Sequence, residues 1–399
     1  MNYLLISRNY GNHNSANGIC ARNISVAIQE IDEKAVIHCI SSDPIVKYED
    51  KTIIHRISPR FSEQKPKSFF GKMLFKLYLL LRNIHLFFFY PLDDFSYEKR
   101  IKKESLKIIK NNKIEVVIGF YKPIETINAL NYIKKKTGII CIAYHLDIIT
   151  ESTNNNKFLS CYKKRRGINY LNRSIKKIDR IFLPLPNTIE NKFENVCYVA
   201  PPLFCENIIK MDEIHFNENI INIVYVGSLD ETNRNIEQLL IILRRIKKEI
   251  PILLHIWGKM DNYSLKLTEN YSDVSIYHGM LDNEFVSYVF SISDYVLDVV
   301  NQTTKNMIPS KIFQMMASKK YILVFSPSDQ YAEKNIIEEY SGFIEVINDK
   351  RLDIVISKLL KYRNCRVNSD DKLFYQYTPA YHANLIIKEC KNVFSIKSK

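Results

Sequence analysis

The feature that most constrains the fold is the alternation of strand-length apolar runs with helix-length amphipathic segments along the whole chain. This alternation is typical of a doubly wound, mainly parallel β-sheet, because each parallel connection needs a crossover helix. The first series of apolar runs comprises Tyr3–Ser7, Ala35–Ile40, Val116–Phe120, Ile139–Tyr144, Arg180–Pro184 and Val196–Ala200. The second series comprises Ile221–Val226, Leu253–Trp257, Val274–Tyr277, Tyr295–Val299, Tyr321–Phe325 and Phe343–Val346. The pattern therefore predicts two α/β domains of the same class.

The boundary between the two series is marked by four prolines between residues 184 and 202. Helices do not continue easily through such residues, so we expect a linker near 201–219. The predicted division is an N-terminal domain at 1–205, a C-terminal domain at 206–377 and a final helix at 378–399. The chain has 399 residues, of which 46% are apolar, and this is enough for a sizeable core in each domain.

The net charge of +14 favours anionic partners, which include membrane surfaces, nucleic acids and phosphorylated substrates. No helix, finger or aromatic sheet motif typical of base readers is recognisable, so nucleic acid is not an expected partner. The eight cysteines are scattered without a Cys-x-x-Cys pair, and the N-terminus does not resemble a signal peptide. These features favour reduced thiols and a cytoplasmic location.

Basic and apolar residues interleave between residues 65 and 90, from Lys65 through Lys76 and Arg82 to the run Leu86–Tyr90. This stretch is too charged and too interrupted to span a membrane. It fits a basic amphipathic segment on an anionic membrane surface, although a buried helix with solvated lysines would show the same pattern. A second basic run begins at Lys163 and fits either a solvated helix face or a further membrane contact.

Residues 307–317 carry the strongest local indication of an anion site. Pro309 suits the first position of a helix, and Asn306 could cap it. Lys311 would then lie in the first turn, beside free backbone N–H groups and the positive end of the helix dipole. A cation is unfavourable there unless it has another purpose, and a bound phosphate supplies one. Gln314 follows on the same face, and an ordinary amphipathic helix with a stray lysine is the alternative.

Three further loops follow predicted strands in the second half of the chain. They are Gly227-Ser228-Leu229 with Arg234 shortly after, Gly258, and His278-Gly279-Met280. Ligands of doubly wound domains bind outside the carboxyl ends of the strands. Small residues, two cations and a helix start would therefore line one crevice, as a nucleoside diphosphate requires. Each loop taken alone could equally be a plain strand-to-helix turn.

Together these motifs resemble the donor-binding domain of GT-B glycosyltransferases, and in particular the large retaining group known as family four. The matching stretches are Tyr225-Val226-Gly227-Ser228-Leu229, Arg234-Asn235, Ile256-Trp257-Gly258, His278-Gly279 and Pro309 to Ala317. The N-terminal half is similar more loosely, through Ser15-Ala16-Asn17-Gly18, Tyr144-His145-Leu146-Asp147 and Val199-Ala200-Pro201-Pro202. The resemblance implies two Rossmann-like domains facing a central cleft, with the final helix crossing back to the first domain.

The resemblance also implies roles for individual residues. Arg234 and Lys311 would hold the donor diphosphate and stabilise the leaving group. His145 and Asp147 would serve the acceptor chemistry, although each could instead be a loop residue with local hydrogen bonds. The remaining positions implied to bind the nucleotide sugar are Asn17, Gly18, Gly227, Ser228, Gly258, Gly279, Met280, Pro309, Ser310 and Gln314.

Gln314 departs from the family pattern, which has a glutamate at that place that binds ribose hydroxyls. A second glutamate of the family pattern is also absent, since Asn306 or Met307 stands near its position. An amide still hydrogen-bonds hydroxyls, but it is a weaker acceptor than a carboxylate. Either the donor is held differently in this chain, or activity is reduced.

The sequence thus predicts a cytoplasmic glycosyltransferase at the inner face of the plasma membrane. It would move a sugar from a nucleoside-diphosphate donor to an oligosaccharide or lipid-linked acceptor, in the assembly of bacterial surface polysaccharide. No metal or other cofactor is expected, because Asp-x-Asp spacing is absent. The alternatives are a non-catalytic GT-B-like binding partner and a sugar-nucleotide epimerase.

Overall fold

The structure is a computed structural model that divides into two compact units, one of residues 1–202 with 379–399 and one of residues 203–378. It describes residues 1–12, 15–45, 50–59, 68–91, 94–146, 157–184, 194–200, 208–211, 214–302, 308–326, 328, 331, 333–346, 352–368 and 374–397. Each unit contains a wholly parallel sheet with helical connections, so the predicted α/β class is confirmed.

The first unit has a seven-stranded sheet in the order β3-β2-β1-β4-β5-β6-β7. Its strands are β1 (Asn2–Ile6), β2 (Val36–Ser41), β3 (Ile53–Arg56), β4 (Val116–Tyr121), β5 (Ile140–His145), β6 (Arg180–Pro184) and β7 (Val196–Val199). Its helices in this part of the chain are α1 (Ala16–Ile31), α2 (Phe69–Phe89), α3 (Phe95–Asn112), α4 (Ile124–Thr137) and α5 (Lys157–Ile175). Strand β4 is buried along its whole length, which explains why it reads as a continuous apolar run.

The second unit has a six-stranded sheet in the order β10-β9-β8-β11-β12-β13. Its strands are β8 (Ile221–Val226), β9 (Ile252–Trp257), β10 (Ser275–Tyr277), β11 (Tyr295–Val299), β12 (Tyr321–Phe325) and β13 (Phe343–Val346). Its helices are α6 (Glu237–Ile246), α7 (Asn262–Asn270), α8 (Val286–Ile292), α9 (Lys311–Ala317), α10 (Lys334–Tyr340) and α11 (Leu352–Tyr362). One face of the sheet packs on α6 and α11, through residues such as Leu240, Leu243 and Leu359.

The last helix, α12 (Pro379–Lys397), belongs to the first unit although it follows the second in sequence. Its residues Ile386 and Cys390 are buried in one apolar cluster with α1 and with alternate residues of β1. The Tyr144 hydroxyl and His382 Nδ1 are 2.8 Å apart, and Arg180 forms an ion pair with Glu389. The other face of the same sheet packs on α3 and α4. The first sheet is therefore covered on both faces, as a parallel sheet requires.

Helix α2 is the exception to this packing, because none of its residues is buried. Large apolar side chains that are at least half exposed recur along the helix, at Phe69, Phe70, Met73, Leu77, Leu80, Leu81, Ile84, Phe88 and Phe89. The C-terminal end of α2 is held by α5, where the Tyr162 hydroxyl donates to Phe87 O at 2.9 Å and the Arg166 guanidinium donates to Phe88 O. In the described ranges, no helix is sufficiently long and apolar to cross a membrane.

Candidate functional site

The loops after β8, β9 and β10 interlock at the carboxyl edge of the second sheet. Gly227 N donates to Trp257 O at 2.9 Å, and Gly258 N donates to Gly279 O at 2.8 Å. The Tyr277 hydroxyl donates to Gly258 O at 2.8 Å. The three glycines singled out in the sequence therefore lie side by side at the edge where doubly wound domains bind ligands.

Gly258 and Gly279 are required for different reasons. Gly258 has φ of +127°, and a Cβ there would lie 2.0 Å from Gly227 O, so its glycine serves the contact between two loops. Gly279 has φ of +86°, but a Cβ there would meet no atom within 4 Å, so open space lies beside it. Met280, the next residue, is 68% exposed. Among the described residues, open space therefore lies beside the third loop rather than beside Gly258.

This difference gives a stability prediction. Gly258→Ala should lower the free energy of unfolding by roughly 3 kcal/mol or more, because φ strain and a backbone clash add. Gly279→Ala should cost only about 1 kcal/mol, from φ strain alone. Urea unfolding of the two variants beside wild type measures both values, and equal losses would contradict the assignment of the clash to Gly258.

Arg234 lies beside the first loop, in the segment that leads into α6. Its Nη1 donates to Ser228 Oγ at 3.4 Å, and the Tyr225 hydroxyl beneath donates to Ser228 O at 2.9 Å. Gln302 N, after β11, donates to Asn233 O at 2.8 Å. The arginine is thereby placed over the carboxyl ends of the two central strands, β8 and β11.

The helix that carries Lys311 begins two residues later than the sequence predicted. Pro309 and Ser310 form a turn that leads into α9, in which Ile312 N donates to Pro309 O and Phe313 N donates to Ser310 O. Ser310 is the N-cap residue, and its side chain makes no capping hydrogen bond. Asn306 and Met307 lie outside the described residues. The prediction that Pro309 is the first helical residue is wrong. The carbonyl groups of Pro309 and Ser310 accept hydrogen bonds from residues three positions further on, so both residues form turns before the regular helix begins at Lys311.

Lys311 is a partly buried cation. Burial lowers its pKa to about 8, and its Nζ donates to Asn283 Oδ1 at 3.0 Å. In the described part of the chain no carboxylate forms an ion pair with it. One turn further, Gln314 is 2% exposed, and neither its Oε1 nor its Nε2 has a partner among the described residues. Buried polar groups are normally satisfied, so a cation and an amide left in this state point to a polar, anionic ligand.

Two buried carboxyl groups at the same edge were missed by the sequence analysis. Asp298 in β11 is 3% exposed and Glu333, just before α10, is 1% exposed. Asp298 Oδ2 and Glu333 Oε2 have no hydrogen-bond partner among the described residues. Burial raises the pKa of both groups, the charge of Asp298 raises that of Glu333 further, and the charge of Arg234 opposes both shifts. A single carboxylate inside the apolar run Tyr295–Val300 was the one signal that could have revealed Asp298.

The structure gives different outcomes for the site residues that were predicted in the first unit. Gly18 is explained by packing, because a Cβ there would lie 1.8 Å from Asn9 O. Asn17, beside it, has an unpartnered Oδ1 among the described residues. Asp147 lies outside the described residues. His145 is the last residue of β5, and its ring stacks on Tyr121 with centroids 5.0 Å apart.

His145 is 1% exposed, and both of its ring nitrogens lack a partner among the described residues. Burial lowers its pKa to about 3, so the imidazole is neutral near pH 7. A general base works best when its pKa is near the working pH. In this state His145 is suited to hydrogen-bond a ligand as a neutral group rather than to remove a proton.

The burial of neutral His145 predicts a pH dependence of stability. Its pKa is lower in the folded chain than the unperturbed value of about 6.5, so the unfolded chain binds the additional proton. The stabilising contribution is therefore complete above pH 6.5 and is lost as the pH falls towards 3, at up to about 1.4 kcal/mol per pH unit. The wild type should lose stability in this window more steeply than His145→Gln, as measured by chemical unfolding at several pH values. Parallel pH curves would contradict the burial of a neutral imidazole.

No arrangement of three or more histidine, cysteine, aspartate or glutamate side chains suited to a metal ion occurs among the residues that the structure describes. The described site therefore consists of cations, amides, carboxyl groups and loop backbone.

Solved structures similar to this chain share its fold along nearly the whole length. A sucrose-phosphate synthase from Thermosynechococcus elongatus has a TM-score of 0.69 at 10% identity, covering 99% of this chain and 100% of the other. WaaG, a glycosyltransferase involved in lipopolysaccharide biosynthesis, has a TM-score of 0.55 at 10% identity, with coverage of 96% and 95%. Anabaena HepE in complex with UDP has a TM-score of 0.54 at 9% identity, with coverage of 100% and 100%.

Comparisons of sequence add no relative to these, since no family model and no curated protein matches the chain. The structural likeness at this identity concerns the fold. Two wholly parallel sheets of seven and six strands, with crossover helices, match those of the glycosyltransferases named above. The chain therefore has the GT-B fold, as the resemblance of its motifs implied.

Proposed function

We propose that this protein is a glycosyltransferase that uses a nucleoside-diphosphate sugar as its donor. The observation that carries the proposal is the desolvated Lys311, whose Nζ has the neutral Asn283 as its partner and no described carboxylate. A partly buried cation without a counter-ion is costly, and a bound diphosphate would supply the missing negative charge. A GT-B relative that was crystallised with UDP supports a nucleotide as the source of that diphosphate.

The chemistry of the proposed reaction follows from these charges. The bond between the anomeric carbon and the diphosphate oxygen breaks, and negative charge develops on the departing phosphate oxygen. An acceptor hydroxyl oxygen forms the new bond to the anomeric carbon, and the hydroxyl proton passes to the departing phosphate oxygen. Lys311 and Arg234 would stabilise that charge in a site with little water, where charge stabilisation is most effective. Retention of the anomeric configuration is part of the proposal and follows from the family resemblance alone.

The test is a screen of purified full-length protein against UDP-, GDP-, dTDP- and ADP-sugars. Calorimetric titration measures binding of each nucleotide, and release of free nucleoside diphosphate measures turnover with and without candidate glycan acceptors. Tight binding of one nucleotide with sugar transfer supports the proposal. Absence of binding to every member of the panel would rule it out. For an accepted donor, NMR of the product's anomeric proton distinguishes retention from inversion.

The proposed acceptor is a lipid-linked glycan at an anionic membrane surface, in surface polysaccharide assembly. Helix α2 supports this setting, because its exposed side is apolar and its charged residues, Lys72, Lys76 and Arg82, are all basic. Amphipathic helices of this kind bury their apolar side at the boundary of headgroups and acyl chains. A second copy of α2 fits less well as the partner, because two such helices would bring like charges together in a chain of net charge +14.

The alternative function is nucleotide-sugar or glycan binding without catalysis. Gln314 favours it, because the neutral amide stands where the resembled family has a carboxylate. The same screen separates the two, since a binding protein would take up one nucleotide without releasing product. In that case Gln314→Glu would be the variant to examine for a gain of turnover.

A further inference from the structure

The buried carboxyl groups of Asp298 and Glu333 have no place in the function proposed so far. They lie at the edge of the sheet that carries Arg234, Asp298 from β11 and Glu333 from the end of the segment between β12 and α10. Within the sheet, Asp298 is opposite Val324 of β12, and Glu333 lies in the segment that follows β12. Burial raises the pKa of both carboxyl groups, the charge of Asp298 raises the pKa of Glu333 further, and the charge of Arg234 lowers the pKa of both.

A purely structural role is a poor explanation of this pair. Buried carboxyl groups cost stability unless hydrogen bonds or an ion pair compensate them. One oxygen of each group lacks a partner among the described residues, and the described hydrogen bond of the Arg234 guanidinium goes to Ser228 Oγ rather than to either carboxyl. By contrast, Glu345 on the neighbouring strand β13 accepts a hydrogen bond from the Tyr331 hydroxyl at 2.7 Å. The fold thus satisfies one carboxylate of this region and leaves two others incompletely satisfied.

We propose that Asp298 and Glu333 form the hydroxyl-binding part of the donor site and bind two neighbouring hydroxyl groups of the nucleotide sugar. This inference rests on the proposed function and deepens it. A carboxylate accepts hydrogen bonds from two O–H groups, and a carboxylic acid beside it both donates and accepts. The pair would therefore bind a diol next to the diphosphate that Arg234 and Lys311 bind.

The pair also accounts for the departure at residue 314. In the resembled family a glutamate at this place binds ribose hydroxyls, whereas this chain has the neutral Gln314 on α9. Helix α9 lies between β11 and β12 in sequence, so Asp298 is in the strand before it and Glu333 follows the strand after it. The carboxylate lost from α9 is then supplied by the two flanking segments. Gln314, with its unpartnered amide, remains available for a further hydrogen bond to the same ligand.

The test is a titration of Asp298→Asn and Glu333→Gln with UDP and with 2′,3′-dideoxy-UDP, which lacks the ribose diol. Loss of charge-assisted hydrogen bonds to a diol should weaken UDP binding about tenfold or more. The dideoxy nucleotide should bind wild type and both variants equally. If UDP binds all three proteins equally but UDP-glucose binds the variants about tenfold more weakly, the hydroxyls are those of the sugar, which also supports the inference.

Controls separate this inference from the function on which it rests. Glu338→Gln is the matched control, because Glu338 is an exposed carboxylate on α10, and it should bind all ligands as wild type does. If Asp298→Asn and Glu333→Gln bind UDP and UDP-glucose as wild type does while Lys311→Ala does not, the inference is wrong and the proposed function stands. If wild type binds no nucleotide, both are wrong. Thermal unfolding of each variant shows whether a loss of binding reflects a loss of folding.

Discussion

Lys311→Ala is expected to lower the kcat/KM for the donor at least 100-fold. A charge-assisted hydrogen bond to phosphate in a desolvated site contributes about 3 kcal/mol, which corresponds to roughly two powers of ten in rate or affinity. The burial that lowers the Lys311 pKa also removes the competing water. The measurement is steady-state transfer with the nucleotide sugar that the screen identifies, beside a titration with the corresponding nucleoside diphosphate. Lys266→Ala, an exposed lysine on α7, is the matched control.

The stability of the free Lys311→Ala variant distinguishes a binding role from a structural one. Removing a partly buried charge that lacks a counter-ion should leave the melting temperature unchanged or raise it. A fall in melting temperature with normal nucleotide affinity would contradict the proposed role. The lowered pKa adds a second readout, because Lys311 loses its charge above about pH 8 in the free protein. Nucleotide affinity of the wild type should therefore decline above that pH, and the affinity of the alanine variant should not change in the same range.

The fold was predictable because its main signal, the alternation of apolar runs with helix-length segments, repeats along the whole chain. A run such as Val116–Phe120 is apolar at every position because strand β4 is buried on both faces. Such a run can be recognised in the sequence without knowing which strands lie beside it. The loops at the carboxyl ends of the strands could be placed for the same reason. The start of α9 could not, because Pro309 fits a turn before a helix as well as the first helical position.

The site was predictable only where a residue type is conspicuous in its local sequence. Lys311 after Pro309 and Gly227 after an apolar strand are such cases. Glu333 is not, because its local sequence does not distinguish it from an exposed glutamate, although it is 1% exposed. The same holds for Gly258, because its requirement for glycine comes from the backbone of Gly227 in the loop after another strand. Contacts between segments, rather than local propensity, determine which polar residues are left without partners.

Charge substitutions on the exposed side of α2 are expected to abolish binding to anionic vesicles. Leu77 and Leu80 are 53% and 58% exposed, so Leu77→Glu with Leu80→Glu should leave the fold intact. Transfer of two leucine side chains into the interface contributes about 3 kcal/mol, and their replacement should lower the partition coefficient roughly 100-fold. The measurement is co-sedimentation of the full-length protein with vesicles that contain phosphatidylglycerol, and with vesicles of phosphatidylcholine alone.

The matched control is Ile354→Glu with Leu360→Glu on α11, at 41% and 55% exposure, which should bind vesicles as wild type does. Lys72→Glu with Lys76→Glu should weaken binding to the anionic vesicles only, by roughly 1 kcal/mol for each charge, and the effect should fall with added salt. If the leucine variant binds vesicles normally but changes the molecular mass in solution, α2 contacts a second copy of the chain instead. The structure leaves the apolar side chains along α2 exposed, and the three basic residues of the same helix favour a lipid surface over a chain that carries the same charge.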